Sequence, residues 1–320
     1  MAGPVRIRTG GARLVVFAAL GLALIACKPG GGQERGVRTA ASWAVFDGRA
    51  AYALLERQVA FGPRVPGSPG HAAQLEWMRE YLRPRADTLE VQRFTHRTSG
   101  GDTIVLYNLF ARFRPSDPTR LLFVAHWDTR PTADEETDPE RRREAIPGAN
   151  DGASGVAVLL HLADVLSRHS PPIGVDILLV DGEDYGPGEM YLGSTYFANH
   201  LPPGYRPLYG VVVDMVADLD PLFPEEGYSR QYAPEVVDRV WRAAAEIGYG
   251  HRFRRSPGPY VMDDHVPLNR AGIPTVDIID FEYGPGNRYW HTLDDVLENT
   301  GPEGLEAVGR VLLELIRRGG

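Results

Sequence analysis

The sequence predicts an α/β protein, a sheet covered by helices on both faces in a three-layer αβα arrangement, and three observations carry that prediction. Apolar runs at 121–125, 175–180, 210–216 and 275–279 are nearly continuous, as strands buried on both sides are. Helical patterning at 155–166, 234–247 and 303–316 alternates with those runs. No internal repeat or second linker interrupts the alternation, so residues 43–320 read as a single domain.

The elements ahead of this alternation follow in order. Phe46, Ala50, Leu54, Leu55 and Val59 recur at helical spacing, which predicts a helix over 46–60 that the proline-glycine run GPRVPGSPG terminates. A second helix is expected at 71–82. Strand-like runs at 88–94 and 104–113 come next, and the turn signal RPSDPT leads from the second into 121–125. The charged loop at 134–144 suits either a lid near a site or a solvated segment.

Composition narrows the function classes. The 320 residues carry 43% hydrophobic and 24% charged residues, a soluble globular profile. A single cysteine excludes an internal disulfide and a cysteine-rich zinc cluster. The formal charge of -8 and the absence of a basic run argue against nucleic-acid binding, which needs clustered Lys and Arg.

The amino terminus belongs outside the fold. Arg6, Arg8 and Arg13 precede an apolar stretch at 14–26 that is too short to span a bilayer and reads as the core of a secretory signal. It ends in LIAC, which resembles the lipobox of bacterial lipoproteins and implies cleavage after residue 26 and lipid attachment at Cys27. Cleavage removes three arginines and no acid from 34 basic and 42 acidic residues, taking the formal charge from -8 to -11. Lys28 follows the cysteine, and the sorting rule that this resemblance brings makes the periplasmic face of the outer membrane the expected location. The glycine-rich polar segment 27–42 reads as a flexible tether.

Ligands of open α/β sheets sit beyond the carboxyl ends of the strands, so the residues just after each apolar run are the informative ones. His126, Trp127 and Asp128 follow the run at 121–125, and extended spacing puts His126 and Asp128 on one face. Asp151 lies in GANDGASG ahead of a helix. DGED supplies Glu183 and Asp184, the run at 210–216 contains Asp214, MDDH contains Asp263, and YWHTLDD contains Trp290 and His291. Imidazoles and carboxylates at several strand ends are the nitrogen and oxygen ligands that zinc accepts without cysteine.

HWD, GANDGASG, DGED, the strand ending near Asp214, DDH and WHTLDD together resemble, in order, the zinc aminopeptidases of the di-zinc exopeptidase fold and the related animal-type glutaminyl cyclases. HWDTRP, GEDYG, LGS, EGYS, DDH and WHT resemble the bacterial members of the cyclase branch more than the general peptidases. The resemblance implies a mixed, mostly parallel central sheet. It also implies a zinc-dependent cyclisation of N-terminal glutamine in peptides or proteins to pyroglutamate, with release of ammonia. By position it gives Asp151, Asp184 and His291 as ligands of one zinc, Glu183 as the proton-shuttling acid and base, Asp263 and Asp214 as carboxylates beside it, and Trp290 as a wall of the substrate pocket.

Three alternatives stay open at this point. Relatives often carry glutamate where Asp184 stands, so Glu183 and Asp184 exchange roles in one version of the site. The second aromatic wall falls to Tyr185 or Tyr191. His126 and Asp128 are candidates either for a second metal or for the surroundings of the first, and a second zinc on His126, Asp214 and a bridging Asp151 would make the protein a di-zinc aminopeptidase. A monomer is expected.

Overall fold

The computed structural model describes residues 44–320, so the expected signal, Cys27 and the tether lie outside the described residues. Four strands form the parallel heart of the sheet: β3 (Arg120–His126), β4 (Gly174–Val180), β5 (Tyr209–Asp214) and β8 (Thr275–Ile279). Every residue of all four is buried, which is why their sequences read as nearly continuous apolar runs, interrupted inside β4 and β8 by buried Asp176 and Asp277. Two further strands, β1 (Thr88–Arg97) and β2 (Thr103–Phe113), pair antiparallel with one another. The sheet order is β1-β2-β4-β3-β5-β8, with β2 antiparallel to β4 and the pairs β4/β3, β3/β5 and β5/β8 parallel. It is the mixed, mostly parallel sheet that the resemblance implies.

Alternation along β3 defines the two covering layers. Leu121, Phe123 and Ala125 face the large core shared with α1 (Gly48–Val59), α3 (Ala153–Arg168) and α8 (Pro302–Arg318). Leu122 and Val124 face the opposite way, into a smaller cluster with Phe197 of α4 (Leu192–Asn199) and Leu268 of α7 (His265–Arg270). Helices α2 (Pro69–Leu82), α5 (Gly227–Tyr232) and α6 (Pro234–Glu246), with a two-stranded parallel pair of β6 (Phe223–Glu225) and β7 (Phe253–Pro257), complete the chain.

Boundaries shift where capping chemistry decides them. Helix α1 starts at Gly48 because the Asp47 carboxylate accepts from Arg49 N and Ala50 N, two residues later than hydrophobic spacing suggests. Ser68 caps α2 through His71 N, moving its start ahead of His71. Strand β5 ends at Asp214, not at 216, because Met215 turns to a φ of 48° and leaves the extended region. The short elements α4, α5, α7, β6 and β7 had no sequence forecast, since three to eight residues hold too little periodicity to read.

One close approach matters for the site. Helix α3 begins so near β5 that a Cβ on Gly155 would lie 1.9 Å from the carbonyl oxygen of Val213. Only glycine permits that contact, and the contact fixes the start of α3 against the end of β5. Gly155→Ala is therefore expected to destabilise the protein by about 1–3 kcal/mol, the range for over-packing a tight core. Chemical denaturation tests this, and a midpoint matching the parent would contradict it.

Candidate metal and active site

The ends of β3, β4 and β5 and the loop ahead of α3 bring the strand-end residues into one buried cluster. His126 ends β3, and its Nε2 stands 3.1 Å from Asp151 Oδ1 and 3.2 Å from Asp214 Oδ1. The other oxygen of Asp151 faces His291, 3.6 Å from Nε2, and Asp184 Oδ1 lies 3.6 Å from the same nitrogen. Two sets of three potential ligands result, His126 with Asp151 and Asp214, and Asp151 with Asp184 and His291, sharing the Asp151 carboxylate. All five side chains are buried. Glu183 belongs to neither set, although its Oε2 comes within 3.9 Å of His126 Nδ1. Asp128 belongs to neither as well.

Asp128 instead shapes the chain that carries the Glu183–Asp184 pair. Its two carboxylate oxygens accept from Glu183 N and Asp184 N, each at 3.1 Å, so both side chains leave a clamped backbone. Asp295 does the same across the site, accepting from Asn150 N at 2.7 Å and Asp151 N at 3.2 Å while Tyr283 donates its hydroxyl at 3.0 Å. Asn150 and Ser154 then accept from Ala217 N and Val216 N, tying the loop that carries Asp151 to the segment just after Asp214. Buried Arg64 closes the arrangement by donating to the carbonyls of Pro147 and Gly148. Gly152 is needed here too, because a Cβ would stand 2.3 Å from His126 Nε2.

His291 sits at a φ of 54°, a conformation that few non-glycine residues adopt. Its Nδ1 lies 3.4 Å from Asp134, which also receives two hydrogen bonds from the Arg130 guanidinium at 2.7 and 2.9 Å. A carboxylate behind the ring nitrogen orients an imidazole and makes it a better ligand. Arg130 reaches Asp184 as well. The acidic loop is thus anchored at its first residues: Glu135 N donates to the His291 carbonyl and Glu136 accepts from Leu293 N, while residues 139–144 are exposed.

Electrostatics follow from crowding carboxylates out of water. Burial, reinforced by Asp184, Asp263 and Asp264, pushes the Glu183 carboxyl well above its ordinary range despite the nearby His126. Burial and then Asp151 raise Asp184 to about 7, and burial takes Asp214 to about 7 against the pull of His126. Burial disfavours the His126 cation, yet Asp128, Asp151 and Asp214 outweigh it and hold the ring protonated. Buried Asp184 Oδ2, Asp263 Oδ2 and His126 Nδ1 have no hydrogen-bond partner. Unpaired carboxyl oxygens, like charges and imidazoles whose protons a metal displaces are what a divalent cation satisfies, so the residues present fit a metal.

Beside the two sets of ligands lies a cavity of about 230 Å³. Trp290 lines it, half-buried, with its indole stacked on the His291 ring at 3.8 Å and edge-on to Phe281. Tyr191 is the second aromatic wall. The loop after β4 folds back so that Tyr191 N donates to Glu183 O, which places Tyr191 at the cavity and leaves Tyr185 out of its lining. Asp263 lines the cavity next to Glu183 and Asp214. Arg64, Arg130, Asp134 and Asp295 carried no signal of their own in the sequence; the WHTLDD motif contains Asp295, but nothing local marks it as a backbone clamp.

The pKa shifts fix the sign of a pH effect. An acid whose folded pKa lies above its unfolded value binds more protons in the native state, so stability of the metal-free protein falls as pH rises from about 4 to about 7. A metal must displace the same protons, so its stabilisation grows over that window. The rise in melting temperature on adding zinc is expected to be larger at pH 8 than at pH 5, and an equal or smaller rise at pH 8 would contradict it. Asp128→Ala removes both backbone clamps, and kcat is expected to drop about tenfold or more, as when ligand-supporting groups are lost.

Comparison with known proteins comes to the same place. Residues 108–316 match the model of peptidase family M28. The chain is 26% identical over 287 residues to glutaminyl-peptide cyclotransferase of Bos taurus, covering 78% of this chain and 76% of that one. Among solved structures it is similar to Porphyromonas gingivalis glutaminyl cyclase, with a TM-score of 0.83, 35% identity and coverage of 87% of this chain and 100% of that one. A Zn-dependent exopeptidase from Parabacteroides distasonis gives a TM-score of 0.82 and 35% identity over 85% of this chain and 98% of the other. With the strand-end ligands, the clamped carboxylate pair and a match over most of its length, the chain belongs to peptidase family M28.

Proposed function

We propose that the protein is a glutaminyl-peptide cyclotransferase that converts N-terminal glutamine to pyroglutamate with one zinc held by Asp151, Asp184 and His291. The observation that carries the assignment of roles is Glu183: its carboxyl faces the cavity, has an elevated pKa and stands outside both sets of ligands. Asp184, in contrast, keeps one unpartnered oxygen among the ligands, so the exchange of roles between the two is not favoured. The names of the similar proteins support the reaction.

Zinc bound there would polarise the γ-amide carbonyl of the substrate. The remaining work falls to the chain. The cavity confines the glutamine side chain between Trp290 and Tyr191, bringing its γ-amide carbon toward its own α-amine, and an intramolecular attack of this kind gains a large effective molarity. As the new carbon–nitrogen bond forms, the ionised Glu183 accepts a proton from the amine. It returns that proton to the amide nitrogen as the old bond breaks and ammonia leaves. Burial, with the negative charge of Asp184, Asp263 and Asp264 beside it, keeps the proton affinity of Glu183 high enough for both transfers, and Asp214 lines the same cavity.

A second reading rests on the intact set of His126, Asp151 and Asp214, which would hold a second zinc in a di-zinc aminopeptidase. His126→Ala separates the two, since it abolishes a two-metal hydrolase and only perturbs a one-metal cyclase. The export signal, lipid attachment at Cys27 and an outer-membrane location complete the proposal for the segment ahead of the domain.

Glu183→Gln tests the assignment directly. Cyclisation of a glutamine-initiated peptide is expected to fall by about 10²-fold or more, the usual worth of a general acid–base group, while zinc stays bound. Loss of zinc from this variant would instead make Glu183 a ligand.

A further inference from the structure

The mouth of the cavity carries apolar side chains that the chemistry at Glu183 does not use. Tyr260 lines the cavity and is 67% exposed, and Met262 beside it is 39% exposed. Large apolar groups left in water beside a polar site mark a place where a ligand lies.

This rim is built, not loose. The Tyr260 ring lies against the backbone of Gly227, where a Cβ would meet its ring carbons at 2.5 Å, and stands edge-on to Tyr228 at 5.1 Å. Gly227 N donates to Pro259 O at 2.8 Å, Val261 N donates to Glu226 at 2.9 Å, and the Tyr191 hydroxyl donates to Met262 O at 2.6 Å. Segment 259–262 is therefore pinned to the start of α5 on one side and to an aromatic wall of the cavity on the other. A rigid aromatic surface loses little entropy when a ligand covers it.

Resting on the proposed cyclisation of N-terminal glutamine, we infer that Tyr260 and Met262 form a shelf that receives the side chain of the second residue of the substrate and sets a preference for a large apolar one. The glutamine side chain occupies the cavity, so the peptide leaves through the mouth, and the shelf is continuous with that exit. Among the described residues no lysine or arginine lines the cavity, so an acidic second residue finds neither of these cations there to pair with.

Cyclisation of Gln-Phe, Gln-Gly and Gln-Glu dipeptide amides by the parent protein, Tyr260→Ala and Tyr260→Phe tests the shelf. The parent is expected to favour Gln-Phe over Gln-Gly in kcat/KM by about five- to tenfold, mainly through KM, with Gln-Glu poorest. Tyr260→Ala is expected to bring the Gln-Phe to Gln-Gly ratio close to one, and Tyr260→Phe to keep it. Each ratio comes from a single preparation, so the fraction of active protein cancels. A parent with no preference, or an unchanged ratio in Tyr260→Ala, would overturn the shelf and leave the cyclisation standing. Failure of the parent to cyclise any of the three would overturn the cyclisation and the shelf with it.

Discussion

Five buried carboxyl groups, Asp151, Glu183, Asp184, Asp214 and Asp263, share one small volume with two imidazoles and one guanidinium, and the rest of the structure is arranged around that repulsion. Carboxylates in such surroundings cannot all ionise unless a cation compensates them. The fold holds them in place through backbone clamps as well as side-chain partners such as Arg130 on Asp184. Asp128 fixes the amides of Glu183 and Asp184, and Asp295 fixes those of Asn150 and Asp151. The chain that carries the candidate ligands is held at its backbone, and Asp184 keeps its Oδ2 without a partner. A cation would meet ligands that need little rearrangement, and Glu183 stands at the cavity outside both sets of candidate ligands.

The sheet explains why the clamps work. Parallel strands β3, β4 and β5 all end at one edge of the sheet, so His126, the Glu183–Asp184 pair and Asp214 converge without long loops. Helix α3 approaches β5 closely enough at Gly155 to bring Asp151 against the same edge. His291 and Trp290 arrive from the loop after β8 and depend on distant partners, chiefly Asp134 and Phe281, for their orientation. The left-handed backbone at His291 is the cost of aiming that ring inward.

Much of this was legible in the sequence, and the physical reason is locality. Buried parallel strands announce themselves as apolar runs, and polar residues that follow them must lie at a strand end, which exposed His126, Asp214 and the DGED and GANDGASG motifs. Partnerships across the fold left no such trace. Nothing near Arg130 or Asp134 in sequence shows that they support His291, and nothing near Arg64 shows that it braces the loop ahead of Asp151. Asp128 had two open roles because its spacing puts it on the face of His126, and only the folded loop shows it accepting from two amides. The choice of Tyr191 over Tyr185 needed the return of the chain after β4, and short helices such as α5 and α7 fell below the length at which periodicity speaks.

The proposed cyclisation needs one metal at a site that also holds candidate ligands for a second. Metal analysis of the purified protein, with ammonia release from a glutamine-initiated peptide and leucine release from a leucyl substrate measured on the same sample, tests that most directly. One zinc per chain with ammonia release and no leucine release is the expected result. Two zincs per chain with leucine release would contradict it.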